Sequence, residues 1–75
     1  MSRLGSKIAS ELLQVGRRYN VKRRSGEATV EVLELLQDGV HVEIKQGGFD
    51  VAGEKFRKGM SVSVPYDSDF YEPTI

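Results

Sequence analysis

Three segments of the chain alternate apolar and polar residues with a period of two, and this alternation limits the fold more than any other feature. The segments span residues 28–32, 40–45 and 60–64. Successive side chains of a β-strand point to opposite faces, so the pattern is typical of strands with one buried face. The chain is therefore predicted to be mainly β.

Two further strands complete the expected set of five. Tyr19 and Val21 alternate with polar residues after Gly16, and a weaker strand is expected over 49–52. Leu33, Leu35 and Leu36 cannot all follow the alternation of the second strand, which indicates a bulge or bend near Leu33 or Glu34.

Glycine and proline mark the expected turns. Asp38-Gly39 predicts a hairpin, because both residue types tolerate the positive φ of a tight turn. Gly47-Gly48 is expected to end the third strand and 53–59 to form a charged turn. Pro65 is expected to end the last strand, because proline donates no ladder hydrogen bond.

A short helix is expected before the first strand, over about residues 6–15. Leu4, Ile8, Leu12 and Val15 recur at spacings of four, four and three, which lines one helical face. Gly16 stands where a C-terminal cap is expected. Residues 1–65 are thus predicted to form one domain, and 66–75 a tail that is docked by its rings or mobile.

The small size of the chain points to association. A domain of 75 residues has a thin core, and without cysteine it has neither a disulfide nor a Cys-based zinc site. The single histidine, His41, is too little for the usual nitrogen-ligated metal site. No metal or cofactor is expected, and a homo-oligomer is the remaining common way to add buried area.

A short helix followed by five short strands suits a strongly bent small β-barrel. From about Ile8 to Pro65 the layout resembles the Sm-like family, including its bacterial Hfq branch, and other SH3-like barrels such as KOW-type modules share the strand pattern. The family's aromatic-Asp pair is loosely matched by Leu36-Gln37-Asp38, whereas Glu54-Lys55-Phe56-Arg57 departs from its late RNA-contacting signature. No RNA-binding residue of the family is therefore carried over.

Charge is distributed unevenly along the chain although its net value is zero. Residues 1–26 hold seven basic residues and one acid, whereas 27–75 hold four basic residues and ten acids. Three interpretations stay open: complementary surfaces that join copies or a protein partner, a basic patch that binds phosphate, and ordinary mixed pairing after folding.

The basic first strand is the candidate binding site, for RNA or DNA and especially for single-stranded nucleic acid. Its residues are Arg17, Arg18, Tyr19, Lys22, Arg23 and Arg24. Cations spaced about 7 Å apart on alternate strand positions can follow a phosphate backbone, and Tyr19 or Phe56 could stack on a base. The alternatives are a charged edge strand, or pairing with Glu27, Glu31 and Glu34.

An enzyme is not expected. His41 lies on the polar face of its strand beside Glu43, and no cysteine nucleophile exists. No stretch reaches the roughly 20 apolar residues of a membrane-spanning helix, so a cytoplasmic location without membrane contact is the expectation. The sequence thus predicts a small binding module, with a protein-binding or adaptor module as the alternative to nucleic-acid binding.

Overall fold

The computed structural model describes residues 5–72, and most of them lie in seven β-strands. The strands are β1 (Lys7–Ile8), β2 (Arg18–Arg23), β3 (Gly26–Leu35), β4 (Gly39–Val51), β5 (Glu54–Arg57), β6 (Ser61–Pro65) and β7 (Asp69–Tyr71), with a 3₁₀ turn at Ser10–Leu12. The prediction of a mainly β chain is confirmed.

The apolar positions of the alternating segments form the core, as expected for strands with one buried face. The core residues are Leu13, Tyr19, Val21, Ala28, Val30, Val32, Val40, Val42, Ile44, Phe49, Val62, Val64 and Phe70. Met60 was expected to point inward together with Val62 and Val64, but its side chain is 40% exposed. Period two therefore identified most of the buried residues correctly.

The sheet does not close into the barrel that was predicted. Its hydrogen-bonded order is β1-β7-β2-β3-β4-β5, and β6 pairs with β4 beside this path. A closed barrel has no edges, whereas in residues 5–72 this path ends at β1 and β5 without a ladder between them. The register of β3 on β4 shifts between Thr29 and Val30 and again between Val32 and Glu34. The second shift confirms the irregularity expected near Leu33.

The predicted helix over 6–15 is wrong. Ser10–Leu12 forms one 3₁₀ turn, and Ala9 and Leu13 on either side of it are extended. Ile8 pairs in β1 with Phe70 of β7 instead. About ten residues make only a marginal helix without tertiary packing, and here the pairing partner lies some sixty positions away in the sequence. Leu4, the first residue of the expected helical face, lies outside the described residues.

Burial in this segment also differs from the helical pattern. Leu12 and Val15 are 63% and 59% exposed, while Leu13, which the spacing had left out, is 4% exposed. The segment thus contributes one side chain to the core and leaves two apolar neighbours on the surface.

The hairpin at Asp38-Gly39 is confirmed, but its physical reason differs from the expected one. The chain turns between Leu35 and its partner Val40, and neither Asp38 nor Gly39 has a positive φ. A Cβ at Gly39 would lie 2.5 Å from the Val64 carbonyl oxygen. Glycine is needed there because β6 passes too close for a side chain.

The prediction that Gly47-Gly48 ends a strand is wrong, since β4 continues to Val51. Gly47 has a φ of 81° and allows β4 to leave β3 and pair with β5. The expected charged turn over 53–59 contains β5, which follows a two-residue turn at Ala52-Gly53. Both turn residues have positive φ, as a type I′ turn requires.

A further strand follows Pro65, which the sequence had assigned as the end of the last strand. Asp69–Tyr71 forms β7 between β1 and β2, and Phe70 is 1% exposed. The part of the predicted tail up to Glu72 therefore contributes an aromatic ring to the core. None of the helical segments within 5–72 has the length and apolar character needed to cross a membrane.

Candidate functional site

The outward face of β2 carries Arg18, Asn20 and Lys22 as predicted, but acids from neighbouring strands accompany them. Arg18 pairs with Glu31 of β3, with 3.6 Å between Nε and Oε1. Lys45 Nζ of β4 lies 4.0 Å from the same carboxylate oxygen. The basic strand is thus part of a surface of mixed charge. This agrees with the alternative in which its cations pair with acids such as Glu31 of the neighbouring strand.

Lys22 lies in a similar setting. It is opposite Glu27 in the β2–β3 register and opposite Asp69 in the β2–β7 register. Asn20 between these cations accepts a hydrogen bond from the Thr29 hydroxyl at 2.7 Å. Carboxylates on both sides lower the local potential at Lys22, so it is a weaker anion site than its position in the sequence indicated.

Tyr19 does not present its ring to a ligand. The side chain is 4% exposed, and its hydroxyl accepts a hydrogen bond from the Gln14 backbone N–H at 3.0 Å. Base stacking needs an open ring face, which the buried Tyr19 ring does not offer. Phe56, the other aromatic suggested for stacking, is partly buried and packs against the core.

Arg23 holds three parts of the fold together. Its Nε donates to the Asp50 carbonyl oxygen at 3.3 Å, and its Nη1 donates to Ser68 Oγ at 2.7 Å. Its guanidinium carbon also lies 5.9 Å from the centre of the Phe49 ring, within cation–π range. Arg23 therefore links β2 to β4 and to the segment before β7, and two of its five N–H donors are used within the protein.

Arg17 and Arg24 lie on either side of β2 and are both exposed. Seven residues of extended chain separate them by about 20 Å. The Arg17 carbonyl oxygen accepts a hydrogen bond from the Val32 N–H at 3.0 Å, so Arg17 lies beside β3. Arg24 lies in the β2–β3 turn, so the two cations cannot share one small ligand.

The turn that carries Arg24 contacts β4, and β4 pairs with β5, which carries two further cations. The Ser25 hydroxyl accepts the Asp50 N–H at 2.7 Å, which fixes this turn against β4. Asp50 is paired with Lys55 across the β4–β5 ladder, and Gly48 is paired with Arg57. We call Arg24, Lys55 and Arg57 the basic surface.

Alternation on β5 turns Lys55 and Arg57 outward. Phe56 between them pairs with buried Phe49 and packs against the core. The side chains on either side of Phe56 therefore point to the other face of the ladder. The sequence predicts a charged turn for this segment, and neither cation is among the predicted site residues. One aromatic residue between two cations is a short alternating pattern, and this pattern could have indicated a strand with both cations on its outer face.

A shallow open groove of about 340 Å³ lies beside this surface. Lys22, Arg23 and Arg24 line one side, and Asp67, Ser68 and Asp69 line the other. Because cations and carboxylates face each other across it, the groove itself is a poor site for a polyanion. Of the basic surface, Arg24 lines this groove, whereas Lys55 and Arg57 lie outside it.

His41 lies on the outer face of β4. Its Nδ1 is 3.2 Å from Ser63 Oγ on the neighbouring strand β6. Within residues 5–72, no three His, Cys, Asp or Glu side chains are grouped so that they could hold a metal ion.

Several large apolar side chains are exposed in residues 33–36 and in the segment before β2. They are Leu12, Val15, Leu33, Leu35 and Leu36, which we call the leucine surface, and their exposure ranges from 38% to 63%. A groove of about 270 Å³ places Leu35 beside Ser10, Glu11 and Leu13. The Tyr66 hydroxyl donates to the Leu36 carbonyl oxygen at the same place.

No family model, curated protein or solved structure is significantly similar to this chain. The resemblance to the Sm-like family therefore stays a prediction, and functional proposals depend on the surfaces described above.

Proposed function

We propose that this chain is a binding domain whose basic surface contacts the phosphodiester backbone of nucleic acid. The observation that carries the proposal is the Ser25–Asp50 contact, which joins Arg24 to the β4–β5 ladder that presents Lys55 and Arg57. Cations from two distant parts of the sequence are thereby carried by neighbouring elements of the fold.

The three cations are available to an outside anion. All three are exposed, and the ion pairs found within residues 5–72 involve Lys7, Arg18 and Lys45 instead. Within residues 5–72 no carboxylate oxygen lies within 4 Å of these three cations, although Asp50 is opposite Lys55 in the β4–β5 ladder and weakens its potential. A guanidinium can also donate two parallel hydrogen bonds to one phosphate, which favours Arg24 and Arg57 for this role.

The spacing of the cations is compatible with a phosphate backbone. Lys55 and Arg57 are two residues apart on a strand and so are separated by about 7 Å. Bringing these charges against a polyanion releases counterions, which makes the affinity strongly dependent on salt. Counterion release favours binding even though the net charge of the chain is zero.

Binding of this kind is expected to depend little on base sequence. Tyr19 is buried and Phe56 packs against the core, so neither offers an open stacking face. Phosphate contacts position a nucleic acid but carry no base information. The proposed ligand is therefore the backbone itself, with single-stranded RNA and DNA as the first probes.

Fluorescence anisotropy with labelled single-stranded RNA, single-stranded DNA and duplex DNA tests the proposal, starting at about 50 mM salt. Three phosphate contacts predict a slope of about −2 for log affinity against log salt on single strands. Arg24→Ala, Lys55→Ala and Arg57→Ala should each reduce the slope by about 0.7. The matched control is Arg18→Ala, an exposed arginine at the other end of β2 that is already paired with Glu31, which should leave the slope unchanged.

Two results would contradict this assignment. Absence of binding to all three probes at low salt removes the nucleic-acid function. Equal losses from Arg18→Ala and Arg24→Ala would place the contact along the whole of β2, as the sequence alone suggested, and not on the basic surface.

Protein binding is the second candidate function, and the leucine surface favours it. Leu35 shares a groove with Ser10, Glu11 and Leu13 of the segment before β2, and contiguous exposed apolar side chains are typical of interaction sites. This surface lies around the end of β3 far from Arg24, so the two functions are compatible.

A further inference from the structure

The leucine surface coincides with an interruption in the sheet. On one edge of β3, β2 pairs with residues 26–31, and the hydrogen bonds of Val32 to Gly16 and Arg17 continue this contact by one residue. Beyond Val32 no strand within residues 5–72 covers this edge, although β3 extends to Leu35 and pairs with β4 on its other edge. The last residues of β3 therefore form an open edge.

The open edge has backbone groups that another strand can pair with. The Leu36 N–H donates to the Gly39 carbonyl oxygen at 2.8 Å, so Leu36 is directed toward β4. Alternation along the strand turns the N–H and C=O of Leu35 to the opposite, open edge. An uncovered edge with apolar side chains is a ready template for strand pairing, because pairing satisfies the backbone and buries the side chains together.

Charges of opposite sign lie on either side of this edge. Arg17 is exposed where β2 leaves β3, and Glu34 and Asp38 are exposed at the other end of the edge. When two copies of β3 pair in antiparallel orientation, the acidic end of each copy comes next to Arg17 of the other. Opposite charges at matching positions favour this pairing and select its orientation.

We propose that the open edge of β3 and the leucine surface bind a second copy of this chain, as an isologous dimer. The same segment supplies both sides of such an interface, and self-complementary charge is what a two-fold arrangement requires. Leu33 and Leu35 become buried in the dimer, and the sheet continues from one protomer into the next.

The dimer leaves the basic surface accessible. Arg24 lies on the far side of β2 from Arg17, about 20 Å from the proposed interface. Dimerisation would place two basic surfaces on one particle. Loss of dimerisation would therefore reduce avidity, but each protomer would keep its own site.

Light scattering coupled to size-exclusion chromatography tests the dimer, with the full chain loaded between about 5 and 200 µM, a range typical of moderate interfaces. We expect a mass of twice the 8.4 kDa protomer at the upper concentrations. Leu35→Lys should raise the dissociation constant at least tenfold. Met60→Lys is the matched control, because Met60 is 40% exposed and Leu35 44%, and it should change the constant less than twofold.

Charge variants provide a second test that does not depend on removing an apolar side chain. Arg17→Glu and Glu34→Arg should each weaken the dimer several-fold, and the double variant should regain most of the affinity. Circular dichroism checks that each variant is folded. A monomer at all concentrations, or equal effects of Leu35→Lys and Met60→Lys, would overturn the proposal without affecting nucleic-acid binding by the basic surface.

Discussion

At the scale of single residues, close backbone approach decides which glycines can be replaced. Gly39 faces the Val64 carbonyl oxygen of β6, and a Cβ there would lie 2.5 Å from it. Gly39→Ala should therefore reduce the free energy of unfolding by about 1–3 kcal/mol, the usual effect of overpacking. Urea unfolding measures this free energy. The control is Ser61→Ala, an exposed position also in β6, which should change the free energy of unfolding by no more than about 0.5 kcal/mol. Equal stability of Gly39→Ala and the parent chain would show that β6 can move away.

At the scale of elements, the β4–β5 hairpin has a turn whose sequence is not ideal for its geometry. Ala52 adopts a φ of 52° and Gly53 a φ of 84°. Ala52→Asn should stabilise the chain by up to about 1 kcal/mol, because asparagine tolerates this conformation better than alanine. Gly53→Ala should destabilise the chain, because alanine tolerates a positive φ less well than glycine. No atom lies within 4 Å of the added Cβ, so the change reports the backbone effect alone. Thermal unfolding measures both, and changes of the same sign would contradict the type I′ assignment.

At the scale of the whole molecule, β7 joins the C-terminal part of the chain to the core. Phe70 is 1% exposed, and its strand lies between β1 and β2. Phe70→Ala should cost about 3–5 kcal/mol, which is a large fraction of the roughly 4–11 kcal/mol expected for a domain of this size. Urea unfolding is the measurement, and half-buried Tyr71→Ala is a control expected to cost less. A folded, equally stable variant would mean that residues after Pro65 are dispensable.

The candidate site was only partly predictable from the sequence. Arg24 was identified because it lies in a dense run of cations, but the run gave no sign that Arg23 bonds to Asp50 and Ser68. Lys55 and Arg57 were missed, because their closeness to Arg24 depends on the Ser25 hydroxyl reaching β4, 25 residues further along the chain. Contacts of this kind leave no local periodicity.

The sequence by itself determined which side chains the strands bury, because alternation of apolar residues depends only on neighbours two positions apart. It therefore specified β2, β3, the first half of β4 and most of β6. Only the tertiary structure decided the fate of the first residues, where pairing of Ile8 with Phe70 replaced the expected helix. It also decided that the sheet stays open and that the charges of β2 meet those of β3. These outcomes depend on pairing between distant segments, and the free energy of such pairing exceeds the weak local preference of a ten-residue stretch.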